Sequence, residues 1–74
     1  MLTESELSTA AIHRLIEKAG AARVGDGAVE ALREILENIA IQISKDAIDF
    51  TNHARRRTVR GEDIKLAAKR FHQS

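Results

Sequence analysis

The 74-residue sequence contains no cysteine, no proline, no tryptophan and no tyrosine, with only two phenylalanines and four glycines. Without cysteine, neither a disulfide nor a thiolate-held metal can staple the chain. Without proline, and with Ala, Leu, Ile, Glu, Lys and Arg dominant, the composition favours helices throughout. No apolar run approaches the roughly 20 residues that span a bilayer, so no membrane partner is expected. The opening MLTESELS is acidic and rich in hydroxyls, unlike a secretory or transit leader. The expected location is therefore the cytosol or the compartment that holds the chromosome.

A chain this short forms one small domain, and such a domain buries only about 60% of the surface its unfolded form exposes. With the other staples absent, association with further chains is the remaining one. Net charge is only +1, but it is unevenly spread. Residues 1–54 carry five Lys and Arg against nine Asp and Glu, whereas residues 55–74 carry seven against two. That asymmetry points to a localised anion-binding surface.

The chain breaks at GAARVGDG (Gly20 to Gly27) and at RRRTVRG (Arg55 to Gly61), the second holding Thr58 and Val59, which prefer extended backbone. A short helix is expected from about Ser8 to Ala19, a long one from about Asp26 to Ala54, and a short one from about Gly61 to Phe71. Residues 1–7 and 72–74 flank this 8–71 domain. Ser8 or Thr9 can cap the first helix, Gly20 stands where a glycine ends it, and Asp26 can cap the second. Thr3 to Glu6 also spells a capping box, which would start the first helix a turn earlier.

The middle helix would be roughly 40 Å long, more than either short helix can cover. Ala28, Leu32, Ile35, Leu36, Ile39, Ile43, Ala47, Phe50 and Ala54 form one apolar stripe, while Ile41 and Ile48 point to nearly the opposite side. A helix apolar on two faces must be buried on both. Ile12, Leu15, Ile16, Ile64, Leu66, Ala67 and Phe71 of the short helices can cover part of one face. The rest needs a second chain, a copy or a close relative.

Four arginines in the six residues Arg55-Arg56-Arg57-Thr58-Val59-Arg60 suit phosphate, which guanidinium groups bind bidentately and a hydroxyl supplements. The bland reading is a solvated loop whose cations favour a helix C-terminus. Arg23 would join the cluster if the two loops lay side by side. His13, His53 and His72 are too scattered for a metal site, and Gly25-Asp26-Gly27 lacks the remaining ligands of a calcium loop. Glu30, Glu34 and Glu37 read as the wet side of the middle helix. No nucleophile–base order and no phosphate-cradling glycine loop stands out, so no enzyme, cofactor, metal or small-molecule substrate is expected.

AIHRLIEKAGAARV resembles the first helix and loop of archaeal histones, and HARRRTVRGEDIKLAAKRF resembles their second loop and last helix. The resemblance runs from about Leu7 to Phe71. It implies an all-α histone fold, a tail-less chromatin protein, and a head-to-tail handshake dimer with itself or a paralogous histone. Leu32, Ile35, Leu36, Ile39, Ile43, Ile48, Ile64 and Phe71 would fill the dimer core. Each first loop would lie beside the partner's second loop, and double-stranded DNA would be wrapped and compacted as in a nucleosome, without sequence readout. DNA contacts are then expected from Arg14, Arg23, Arg55, Arg57, Thr58 and Arg60, with Arg56 and Asp63 as an internal ion pair. Phe50, His53, Asp63 and Leu66 match a patch that joins dimers into stacks, and Gly20 matches a small-residue position where stacked dimers approach. The implied location is the cytoplasmic chromosome or nucleoid.

The sequence departs from the family in lacking prolines before the first helix and in Glu17, where a basic residue is common. His13 replaces a small residue and Ile41 a polar one, while Glu4 and Glu6 add negative charge near a helix start. These acids favour a second reading, a heterodimerising histone-fold subunit of a transcription or chromosome-segregation complex.

Overall fold

The computed structural model describes residues 7–72 in full and Gln73 through its backbone. The described residues form α1 (Thr9–Lys18), α2 (Asp26–His53) and α3 (Gly61–Gln73), with no strand among them. The short–long–short order agrees with expectation. Ends differ by a residue or two, and α3 runs two residues past Phe71. The Thr3–Glu6 capping box and most of the 1–7 segment lie outside the described residues. Thr58 and Val59 sit in the loop between α2 and α3. No helix among the described residues is long and apolar enough to cross a membrane.

The chain divides into two compact units, one up to Asn38 and one from Ile39. In the first, the Ser8 hydroxyl oxygen accepts from the Ala11 N–H at 3.1 Å and so caps α1. At the other end, Gly20 N–H donates to Glu17 O and Ala21 N–H to Ile16 O, with Gly20 at φ +111°. This is a Schellman motif, and the left-handed backbone accounts for the glycine. The second helix corrects an expectation. Ala28 and Val29 N–H both donate to the Gly25 carbonyl, so Gly25 holds the cap position and Asp26 is the first helical residue. Asp26 acts there through its charge, which favours a helix N-terminus. Ile12 (2% exposed) and Val29 (6%) form the small core of this unit.

The second unit is built on small residues. Ala47 and Ala67 are fully buried, and Thr51 and Asp63 nearly so. Ala47 and Thr51 are one turn apart on α2, as are Asp63 and Ala67 on α3. Four-residue spacing puts each pair on one helix face, and such short side chains let two helix backbones approach closely. The Thr51 hydroxyl spans the contact, 2.9 Å from both the Ala47 carbonyl and Asp63 Oδ2. It has one proton and donates to one acceptor at a time.

Candidate nucleic-acid interface

The loop after α2 is set by two devices. Arg55 N–H donates to Asn52 O and Arg56 N–H to Thr51 O, a second Schellman closure, with Arg55 in the left-handed position at φ +60°. Arg56 then turns inward and pairs with Asp63 through two parallel bonds, Nη2 to Oδ1 at 2.9 Å and Nη1 to Oδ2 at 3.0 Å. Its Nη1 also donates to the Thr58 carbonyl at 3.1 Å. The Arg60 backbone N–H donates to Asp63 Oδ2 at 2.9 Å, while Asp63 and Ile64 N–H donate to the Arg60 carbonyl. That is half of a capping box, with Asp63 in the third helical position. One carboxylate thus ties the end of α2, the loop and the start of α3.

The electrostatics follow from this geometry. Hydrogen bonding from Arg56, then from the Arg60 backbone and the Thr51 hydroxyl, holds the Asp63 carboxyl well below the usual carboxylate range, against the opposing effect of burial. Hydrogen bonding to Asp63 raises the Arg56 guanidinium above its usual value in return. Arg56 is therefore a structural cation, separate from the outward-facing ones.

Arg55, Arg57 and Thr58 are exposed. Arg60 is exposed too, but its guanidinium lies 3.6 Å from Glu62, a solvated pair of small energetic value that leaves it free to exchange partners. Arg14 is exposed on α1, where it lines a shallow depression with Ala11, Leu15, Glu17 and Lys18, and Arg23 is exposed in the first loop. Among the described residues, the guanidinium groups of Arg14, Arg23, Arg55 and Arg57 meet no acid. The acids along α1 and α2 are partly engaged, since His13 Nδ1 lies 3.5 Å from Glu17, Arg33 bonds Glu30, and Glu37 accepts from the Leu7 N–H.

Thr51 is the site residue that sequence reasoning missed. Its signal was available, a threonine four residues after Ala47 in an otherwise apolar stripe. Phe50 is half-buried with the Arg70 guanidinium 5.7 Å from its ring centroid, a cation–π contact. His53 and Leu66 are exposed, whereas Asp63 is only 4% exposed. Asp63 Oδ2 is saturated, and only Oδ1 keeps a lone pair for another donor. None of the eight candidate dimer-core residues is buried within the chain. Ile35 is 53% exposed, Ile48 45% and Ile64 38%, and the other five are half-buried. No group of three or more His, Asp or Glu among the described residues is placed to hold a metal.

The family described as histone-like transcription factor (CBF/NF-Y) and archaeal histone matches residues 5–68, and the chain belongs to it. It is 52% identical over 65 residues to one of the subunits of archaeal histone HAN1 from Thermococcus zilligii, across 88% of this chain and 97% of that protein. It is 43% identical over 63 residues to a probable archaeal histone 3 of Methanocaldococcus jannaschii, across 85% and 94% respectively. Histone H4 of Entamoeba histolytica is 35% identical over 60 residues, which cover 81% of this chain and 51% of that protein. The three helices therefore form the histone fold, for which the handshake dimer is the typical assembly.

Proposed function

We infer that this chain binds and compacts double-stranded DNA as an archaeal-type chromatin protein, and that it does so as a dimer of its own copies or with a paralogous histone. The carrying observation is the loop after α2. There Arg56 is locked to Asp63 and to the Thr58 carbonyl, while Arg55, Arg57 and Thr58 face solvent, with no acid among the described residues beside either arginine. Such a loop is preorganised for phosphate. In the handshake arrangement Arg23 of one chain would join Arg57 and Thr58 of its partner, with Arg14 and Arg60 extending the basic track. Arginines set where the minor groove faces inward need DNA that bends and no particular base sequence. The chain acts by binding alone, without an enzymatic step, and works on the cytoplasmic chromosome.

Dimers would join through Phe50, His53 and Leu66, with His53 donating to the spare Oδ1 lone pair of Asp63 in the next dimer. Gly20 would allow close approach between stacked dimers, beyond the left-handed backbone that already calls for glycine there.

The test is binding to random-sequence duplex across a salt series, where log affinity falls by about 0.9 per phosphate neutralised. Wild type should bind without sequence preference, and Arg23→Ala with Arg57→Ala should flatten the slope by roughly one unit per arginine lost at each bound site. An unchanged slope and affinity in the double variant would overturn the loop assignment.

A further inference from the structure

Arg55 is the one non-glycine residue among those described with positive φ, at +60°. Its backbone is fixed from both sides, because its own N–H bonds Asn52 O and the next N–H bonds Thr51 O. That position closes the α2 Schellman motif, where glycine sits without strain and a side chain crowds the following carbonyl. Gly20 fills the equivalent position after α1. An arginine there carries a conformational cost, and no acid within the described residues offsets it. Arg56 beside it is spoken for by Asp63, so Arg55 and Arg57 are two exposed cations on either side of a locked one. A left-handed residue held on both sides fixes the direction of its Cα–Cβ bond, so the Arg55 side chain leaves the loop from one set point into solvent.

We propose that Arg55 is a phosphate-positioning residue that trades stability of the free fold for one additional DNA backbone contact per loop, separate from the contact made by Arg57 and Thr58. This rests on the DNA-binding reading above and adds a residue-level exchange that the reading alone does not require. A cation at a helix C-terminus would be a sufficient reason for Arg55 if it served only the helix dipole, but lysine or arginine one residue earlier would do the same without a left-handed backbone.

Three variants separate the effects. Arg55→Gly relieves the backbone and removes the charge, Arg55→Ala removes the charge and keeps the left-handed strain, and Arg57→Ala removes the neighbouring cation alone. In thermal unfolding without DNA at one fixed protein concentration, Arg55→Gly should melt about 4–8 °C above Arg55→Ala and above wild type as well. On random-sequence duplex both Arg55 variants should flatten the salt slope by roughly two units per dimer, one for each loop. The wild-type advantage should then shrink about tenfold between 50 and 200 mM salt. Flattening in Arg57→Ala with none in either Arg55 variant overturns this inference and leaves the DNA-binding loop intact. An unchanged slope in all three overturns the loop assignment itself. Equal melting of Arg55→Gly and Arg55→Ala overturns the exchange, because the left-handed backbone would then carry no cost.

Discussion

Truncating Ile35 separates a chain that is folded by itself from one that is folded only by its partner. In the isolated chain Ile35 is 53% exposed, and among the described residues only Ile12, Val29, Ala47 and Ala67 are buried apolar ones. If the chain stood alone, Ile35→Ala would remove a side chain already half in water, a change usually worth about 0.5 kcal/mol and rarely above 1. If Ile35 fills the core of a dimer, the same substitution leaves a cavity and costs about 2–5 kcal/mol per site. Both protomers carry it, so the dimer loses about 4–10 kcal/mol, of the order of a whole domain's stability of about 5–15 kcal/mol. The source of that energy can be read from exposure. Full burial of an isoleucine is worth about 1.5–3 kcal/mol, and Ile35, Ile48 and Ile64 each leave 38–53% of their surface open. A partner therefore gains about 1 kcal/mol from each, or about 6 kcal/mol over two chains, before the half-buried Leu32, Leu36, Ile39, Ile43 and Phe71 are counted.

The assay is urea unfolding at protein concentrations a hundredfold apart, combined with sedimentation. Wild type should unfold at a midpoint that rises with concentration, because folding and association are one equilibrium. Ile35→Ala should be largely unfolded at concentrations where wild type is dimeric. A concentration-independent midpoint, with Ile35→Ala losing less than about 1 kcal/mol, would refute the reasoning and leave the exposed isoleucines unexplained.

Three further outcomes are expected. Ala67→Leu should destabilise the protein by about 1–3 kcal/mol or more, since Ala67 is fully buried at the close approach of α3; denaturant midpoints measure it. Asp63 is depressed below its ordinary value of 3.8, so its stabilisation is complete above that value and is lost as pH falls through it towards the folded value. Stability measured from pH 6 down to pH 2 should fall steeply below about 4 in wild type, and Asp63→Asn should be less stable at neutral pH and flatter across that range. If dimers stack as proposed, His53→Asp should leave the dimer and short-duplex binding intact but shorten the DNA lengths protected in a nuclease ladder, because the new aspartate would face Asp63 of the next dimer and repel it.

Periodicity made most of the fold legible. The long middle helix, its two-faced apolar pattern and the glycine stop at Gly20 are all properties of spacing and of a single residue's backbone freedom. Two features were hidden for physical reasons. Asp26 carries a side chain suited to capping, yet the Gly25 carbonyl is the one that accepts the first helical bonds, a choice made by backbone geometry. Val29 is buried while the stripe residues Leu32 and Ile35 are not, because one chain covers only those α2 residues that its own short helices reach. Thr51 was invisible for a different reason. Its value lies in an acceptor twelve residues away on another helix, which no local pattern reports.

The same distinction explains why composition and spacing alone leave the arginine run undivided, and why only the family resemblance set Arg56 apart with Asp63. Arg55, Arg56 and Arg57 are chemically identical and adjacent, yet their roles diverge because consecutive residues in a tight loop face different ways. Asp63 takes Arg56, and in doing so it fixes the Thr58 carbonyl and the Arg60 N–H, so the loop loses little freedom when phosphate arrives. On the proposed reading, removing Arg57 would delete a phosphate contact, whereas removing Arg56 would release the frame that aims several of them. Arg56→Ala should therefore weaken DNA binding together with stability, and restoring stability with a compensating substitution elsewhere should not restore affinity. Recovery of full affinity in such a stabilised variant would mean that the pair holds only the fold.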